Sequence, residues 1–202
     1  MPTAYKWLTK SRTGGYSDWT WPEAGEWTPE IEGNLVMCSN GYHLVTEGQI
    51  VGEYMRDELW EAEYEGDLVE HHDKICVRRA ILVRRVDTIN ERTLRLFAAD
   101  CAERVLHIFE HDHPDDDRPR KAIEAARLFA EGKIDDDARA AARAAAWAAA
   151  GDAAWAAAWA AARAAAGDAA WGAAWGAAWD AAWGAEQEWQ RARFCQYMEG
   201  IA

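Results

Sequence analysis

An alanine-rich tetrapeptide repeat between about residues 138 and 185 constrains the fold of this chain more than any other feature. Alanine has the highest intrinsic helix propensity, so the repeat predicts α-helix. A residue other than alanine occupies every fourth position along the repeat: Arg139, Arg143, Trp147, Gly151, Trp155, Trp159, Arg163, Gly167, Trp171, Trp175, Trp179 and Trp183.

The period of this repeat predicts how its helices pack. A four-residue step overshoots one helical turn by about 40°, so the large side chains follow a spiral around the helix. A period longer than 3.6 residues favours helices that wrap around each other with a right-handed supercoil. The steps Gly151-Asp152 and Gly167-Asp168 are typical of a helix end followed by a new N-cap. Because burial of each tryptophan contributes about 1.5–3 kcal/mol, we expect at least one chain reversal and closely packed helices.

The tryptophans of the repeat also predict an interaction surface, because tryptophan is enriched at binding hot spots. They can pack within the chain, join two copies in a homo-oligomer, or contact a partner. The predicted interaction residues are Trp155, Trp159, Trp171, Trp175, Trp179 and Trp183.

The first 90 residues are rich in aromatic residues, glycine and β-branched residues, which favours a small, mostly β domain. Strands are predicted at Leu35–Cys38, Leu59–Tyr64 and Lys74–Val86, and a short helix at Val51–Asp57. In the last strand an apolar alternation of period two is predicted to continue through Ile75, Val77, Ile81 and Val83.

The pattern becomes helical from Thr93 onward. Apolar residues at helical spacing predict an amphipathic helix to about Glu110, and a second helix follows over Pro119–Glu131, with Gly132 just past its end. The acidic residues Asp135–Asp137 predict the start of a third helix. We therefore expect an α+β chain with a β-rich domain over 1–90, a helical pair over 91–134 and the repeat helices over 135–202.

Charge and composition limit the partners and the compartment. The net charge is -13, with 22 basic and 35 acidic residues, and an acidic surface repels phosphate backbones, so binding to a nucleic-acid duplex is not expected. No stretch of 18 strongly apolar residues predicts a membrane span. The start of the sequence has no apolar leader, and the four cysteines are scattered, so we expect reduced thiols and a cytoplasmic location.

The densest polar cluster lies on the two predicted central helices. Arginine offers a bidentate fork to carboxylates and phosphates, so this cluster predicts either an ion-pair network between helices or a cleft for an anionic, nucleotide-like ligand. The candidate ligand-binding residues are Asp100, Glu103, Arg104, Arg118, Arg120, Glu124 and Arg127.

Catalytic and metal motifs are sparse. His107 and His111 lie four residues apart, with His113 nearby, but the spacing lacks the glutamate of an H-E-x-x-H site, so a solvated helix end is predicted and no metal or cofactor is assigned. The pair His71-His72 is predicted to lie in a turn. No phosphate-binding loop, dinucleotide fingerprint or nucleophile elbow is present, which favours a non-enzymatic function.

A family resemblance emerges from the helical pair. The runs A-A-D-C-A-E-R-V and D-x-R-P-R-x-A-I-E-A-A-R within Thr93–Ala130 resemble the helical module of bacterial and phage proteins described as "putative immunity protein". Upstream, Cys38-Ser39-Asn40-Gly41-Tyr42-His43 resembles an element of a small phage-associated domain of unknown function. The resemblance implies a phage or mobile-element setting and no established reaction.

Three hypotheses follow. The leading one is a non-catalytic protein that binds and sequesters a protein or a nucleotide-like signal in immunity or counter-defence. The second is an oligomeric scaffold built on the repeat helices. The third is an ADP-ribosyltransferase-like enzyme, since Gly41-Tyr42-His43 resembles the strand element that grips the nicotinamide ribose in those folds, with Glu61, Glu63 and Glu65 as candidate catalytic carboxylates.

Overall fold

The computed structural model describes residues 2–52, 54–138, 140–141 and 169–202, and within the helix over 169–198 it describes side chains from residue 184 onward. These residues form an α+β protein with two compact units. The first unit contains the described residues up to Glu91 together with Arg191–Ala202, and the second contains those within Arg92–Gln190.

A curled antiparallel sheet of four strands forms the first unit. The strands are β1 (Thr3–Leu8), β2 (Tyr42–Leu44), β3 (Glu58–Glu70) and β4 (Ile75–Arg85), and their order across the sheet is β1-β3-β4-β2. The two edge strands approach each other, because Tyr5 and Val45 exchange backbone hydrogen bonds of 2.7 and 2.9 Å. Both edges are therefore partly paired, which protects a sheet from unwanted strand addition.

The concave side of the curled sheet holds an apolar core. Alternate residues of a strand share one face, and β1 accordingly directs Ala4 and Leu8 into this core beside Ala62 of β3. Small residues allow the strands to curl closely over it. The remaining buried members are Trp21, Leu44, Ile75, Val77, Ala80 and Leu82.

The predicted alternation along β4 is correct at its start and wrong at its end. Ile75 and Val77 are buried as expected, but Ala80 and Leu82 are buried further along, and Val83 is 44% exposed. The pairing of β3 with β4 shifts register between Glu61 and Ala62 and between Glu65 and Leu68. Such bulges change which residues face the core, and an uninterrupted period of two cannot anticipate them.

The last turns of the chain pack against the opposite side of β1. Phe194 is fully buried, and its ring centroid lies 5.7 Å from that of Trp7. The indole nitrogen of Trp7 donates to the carbonyl of Ile50 at 2.9 Å, and the hydroxyl of Thr88 donates to the carbonyl of Met198 at 2.7 Å. The sheet unit thus includes the C-terminal segment of the chain.

Two predictions for the first 90 residues are wrong. Leu35–Cys38 is not a strand: Val36 and Asn40 pair with each other across a tight turn, in which Cys38 has a φ of 62°. The described residues of Val51–Asp57 are not helical either, and a short 3-10 helix lies just before them at Glu47–Gln49. The paired strands β3 and β4 confirm the other two strand predictions.

The central helices confirm the helical predictions. Helix α1 spans Glu91–Asp112 and helix α2 spans Arg118–Ala130. Gly132 follows α2 with a φ of 71°, and the amide of Lys133 donates to the carbonyl of Leu128, the arrangement of a glycine-terminated helix end. The carboxylate of Asp135 then accepts a 2.9 Å hydrogen bond from the amide of Ala138, as expected of an N-cap.

The described part of the repeat is helical. Helix α3 runs without a break over Ala169–Met198, including Gly172, Asp180 and Gly184. Its 30 residues correspond to about 45 Å of helix. The steps Gly151-Asp152 and Gly167-Asp168, where a reversal is predicted, lie outside the described residues. No helix within the described residues is both long and apolar enough to span a membrane.

Candidate functional site

The facing sides of α1 and α2 carry the strongest ion-pair cluster of the helical unit. The guanidinium of Arg127 on α2 donates to Asp100 at 2.8 Å and to both carboxylate oxygens of Glu103 at 3.0 and 2.6 Å. These bonds lower the pKa of Glu103 and raise that of Arg127. Arg127 thereby joins the two helices through two acids that lie three residues apart on α1.

A second bidentate pair lies nearer the connection between the two helices. The Nε and one terminal nitrogen of Arg120 donate to the two carboxylate oxygens of Glu110, each at 2.8 Å. Arg118, the first residue of α2, forks onto Asp116 at 2.8 and 2.6 Å, which lowers the pKa of Asp116 to about 2. The connecting loop is consequently held by charged hydrogen bonds at the start of α2.

Arg104 of α1 contacts α3. Its guanidinium lies 3.4 Å from the carboxylate of Glu186 and 4.9 Å from the ring of Trp189, so it makes an ion pair and a cation–π contact within the helical unit. Burial, Glu186 and Asp100 together raise the pKa of the neighbouring Cys101 to about 11, which keeps this thiol protonated at neutral pH. Glu124 lies exposed on α2.

The structure thus divides the seven predicted ligand-binding residues into separate groups. Arg127, Asp100 and Glu103 lie together, whereas Arg120, Arg118 and Arg104 are each paired with an acid outside the predicted set: Glu110, Asp116 and Glu186. Six of the seven predicted residues therefore lie in ion pairs, and Glu124 is exposed.

Four of the six predicted interaction tryptophans belong to α3. Trp155 and Trp159 lie outside the described residues, whereas the backbone of Trp171, Trp175, Trp179 and Trp183 is helical within α3.

The histidines at the end of α1 do not converge. The ring of His107 is 3.1 Å from the carbonyl of Arg104, and the ring of His113 packs 4.8 Å from that of Phe109. Among the described residues, the ligand atoms that lie close enough to share a metal ion belong to His71, His72 and Asp73.

The element Gly41-Tyr42-His43 serves the packing of the sheet. Gly41 has a φ of 141°, and an added Cβ would lie 2.3 Å from the sulfur of Cys76, so only glycine fits there. The ring of Tyr42 packs edge to face against that of Trp21, with centroids 5.7 Å apart, and the Nε2 of His43 accepts a 2.9 Å hydrogen bond from the amide of Cys38.

Two of the three candidate catalytic glutamates are ion-paired across the sheet. Glu61 pairs with Arg84, and Glu65 lies 3.6 Å from Arg79. Glu63 is half-buried on β3, between them in sequence.

A cationic cluster in the sheet unit escapes sequence-based prediction. The ammonium of Lys6 lies on the concave side of β1, where it donates to the carbonyl of His43 at 2.8 Å and stands 5.0 Å from the ring of Trp21. Burial, followed by repulsion from Arg56 and Lys74, lowers the pKa of Lys6 to about 8. The available signal is its position in β1, because Lys6 lies on the same strand face as the buried Ala4 and Leu8.

Comparison with known proteins assigns the helical part of the chain to a protein family. The family model described as Imm-5 like putative immunity protein matches residues 84–196, more than half of the chain. The match includes α1, α2, α3 up to Gln196 and the ion pairs of the helical unit. No curated protein and no solved structure matches the chain at a significant level.

Proposed function

The chain belongs to the Imm-5 like putative immunity protein family, and from that premise we propose that it binds and sequesters a protein partner without catalysing a reaction on it. The observation that carries this proposal is the family match over residues 84–196, the part of the chain whose helices are joined by ion pairs. The cytoplasm is the proposed site of action.

The charge of the chain favours a basic partner. A net charge of -13 on 202 residues creates a negative potential that attracts cationic proteins and accelerates their association. The same potential disfavours acidic proteins and nucleic acids, so it contributes to specificity as well as to rate.

Acidic side chains are exposed at both ends of α2. Asp115 and Asp117 precede the helix, and Glu131, Asp135 and Asp137 follow it. The bidentate pairs of Arg120 and Arg127 hold α2 against α1 between these two acidic ends. Because these helices are already ordered, the chain itself loses less conformational entropy when a partner binds this surface. We assign the partner-binding surface to α2 and its two flanking segments.

A growth selection tests this function while the identity of the partner is still open. Cells that express the chain receive an inducible genomic library from the source of its gene, and inserts are scored that stop growth alone and allow growth beside the chain. The proposal expects at least one such insert to encode a basic protein that forms a stable complex with the purified chain. A saturating library without such an insert would contradict it.

Two charge-matched variants locate the binding surface. Asp115→Lys with Asp137→Lys alters the ends of α2, whereas Glu26→Lys with Glu30→Lys alters exposed acids of the sheet unit by the same total charge. The first variant is expected to lose protection and the second to retain it. Equal loss in both would show that net charge alone matters, and loss only in the second would move the surface to the sheet unit.

A further inference from the structure

The hairpin between β3 and β4 brings three metal-ligating side chains together. Glu70 and Ile75 form the last cross-strand pair, and the amide of His71 donates to the carbonyl of Lys74 at 2.9 Å, which closes a tight turn. One potential ligand atom from each of His71, His72 and Asp73 lies within 4.8 Å of the other two. The two imidazole rings are adjacent, with centroids 4.1 Å apart.

We propose that this turn is a binding site for a divalent transition-metal ion, held by the imidazoles of His71 and His72 and the carboxylate of Asp73. Two imidazoles and one carboxylate are a donor set that suits zinc, nickel or copper better than magnesium or calcium. Three protein ligands leave a fourth tetrahedral position for water.

The surrounding residues orient the ligands. The hydroxyl of Tyr54 donates to Oδ2 of Asp73 at 2.7 Å, which leaves Oδ1 directed at Nδ1 of His71, 2.5 Å away. The side-chain amide of Gln49 donates to the carbonyl of His71 at 2.8 Å and fixes the backbone of the turn. Hydrogen bonds of this kind to ligating groups commonly raise metal affinity ten- to a hundredfold.

A small rearrangement completes the site. Ligand atoms on a tetrahedral zinc ion lie roughly 3.3 Å apart, given bonds of 2.0–2.1 Å, so the metal ion displaces the proton between His71 and Asp73 and separates the two atoms. The side chain of His71 is 48% exposed, so its ring has room to rotate.

The charge state of the turn suits a cation in one respect and opposes it in another. The carboxylate of Asp73 supplies the negative charge among the three ligands, since a ligating carboxylate is deprotonated and a ligating imidazole is neutral. The ammonium of Lys74 lies 3.8 Å from Oδ2 of Asp73 and repels a metal ion.

Zinc and cobalt titrations of the full chain test the site. Wild-type protein is expected to bind one Zn²⁺ per chain by calorimetry and to give the visible absorption of tetrahedral Co²⁺. His71→Ala, His72→Ala and Asp73→Asn are each expected to weaken zinc binding at least about tenfold, with circular dichroism confirming the fold.

Two control variants keep the assignment falsifiable. His107→Ala removes an exposed histidine of α1, and Cys38→Ser removes an exposed thiol of the sheet unit. Both are expected to bind zinc as the wild type does. The proposal is overturned if zinc fails to bind up to about 1 mM, if the His72→Ala variant binds it unchanged, or if Cys38→Ser alone abolishes binding.

Discussion

The ring of Phe194 packs 5.7 Å from the ring of Trp7, so the end of α3 packs on β1, on the side opposite the apolar core of the sheet. Phe194 lies inside the segment that matches the family model, whereas Trp7 lies outside it. The end of the family segment is therefore part of the folding unit that contains the sheet. Truncation of the chain before Arg191 would remove a structural component of that unit.

Removal of the Phe194 ring is expected to destabilise the sheet unit strongly. Phe194→Ala replaces a fully buried side chain and leaves a cavity, and such changes cost about 3–5 kcal/mol of unfolding free energy. Urea denaturation monitored by the fluorescence of the tryptophans measures the loss. Ile201→Ala, at a residue that is 73% exposed in the same segment, is the matched control and should change stability by less than about 0.5 kcal/mol.

Acid is expected to destabilise the sheet unit through His43. Burial, and then the neighbouring charges of Lys6 and Lys74, lower the pKa of His43 to about 4 in the folded chain, while Asp73 acts in the opposite direction. Between about pH 6.5 and 4 the unfolded chain binds a proton that the folded chain does not, so stability falls as the pH falls through this window. Unfolding free energies measured from pH 7 to 4 should show this loss.

His43→Gln isolates the contribution of that ring. Glutamine keeps a hydrogen-bond acceptor for the amide of Cys38 but does not titrate. The variant should lose less stability than the wild type between pH 6.5 and 4. Identical pH profiles for wild type and His43→Gln would contradict a half-buried His43 that is neutral in the folded chain.

The lowered pKa of Lys6 predicts a second pH dependence of stability, in the alkaline range. Its pKa is about 8 in the folded chain and about 10.5 when unfolded, because burial disfavours the ammonium. The unfolded chain binds more protons between these values, so stability rises as the pH increases from about 8 to 10.5. Lys6→Met should remove this rise and increase stability at pH 7, while Lys10→Met, at an exposed position, should do neither.

The pair of Arg127 with Asp100 is expected to contribute more stability than a surface pair on the same helix. Asp100 is 14% exposed, so Arg127→Ala removes a charged donor from a largely buried carboxylate, at a cost of about 1–3 kcal/mol. Lys121 and Asp117 are 67% and 61% exposed, and their coupling should stay below about 0.5 kcal/mol. Double-mutant cycles on both pairs measure the two coupling energies, and equal values would contradict this ranking.

The elements that sequence patterns predict correctly are those encoded locally. Helices α1 and α2 follow from apolar residues at helical spacing, with Gly132 and Asp135 marking boundaries that local hydrogen bonds confirm. Sequence patterns do not predict strand β1, because a lysine occupies the inward position between Ala4 and Leu8 and interrupts the alternation of apolar and polar residues. Strand β2 has three residues, too few for any periodic signal, and exists through its pairing with β4.

The polar sites show the same division. Residue types alone identify the charged cluster on α1 and α2, but not the choice of partners, because that choice depends on how the two helices face each other. Arg127 reaches Asp100 and Glu103, whereas Arg120 reaches Glu110. Likewise the convergence of His71, His72 and Asp73 depends on the tight closure of the β3–β4 turn, for which the sequence offers no motif.

A stoichiometric titration tests the central claim, sequestration without catalysis, most directly. The toxic activity of the partner from the growth selection is measured against increasing amounts of the purified chain, with mass spectrometry of the partner before and after. We predict complete inhibition at one chain per partner molecule and an unchanged partner mass. Inhibition by far fewer chains than partner molecules, or a covalent change in the partner, would contradict the account.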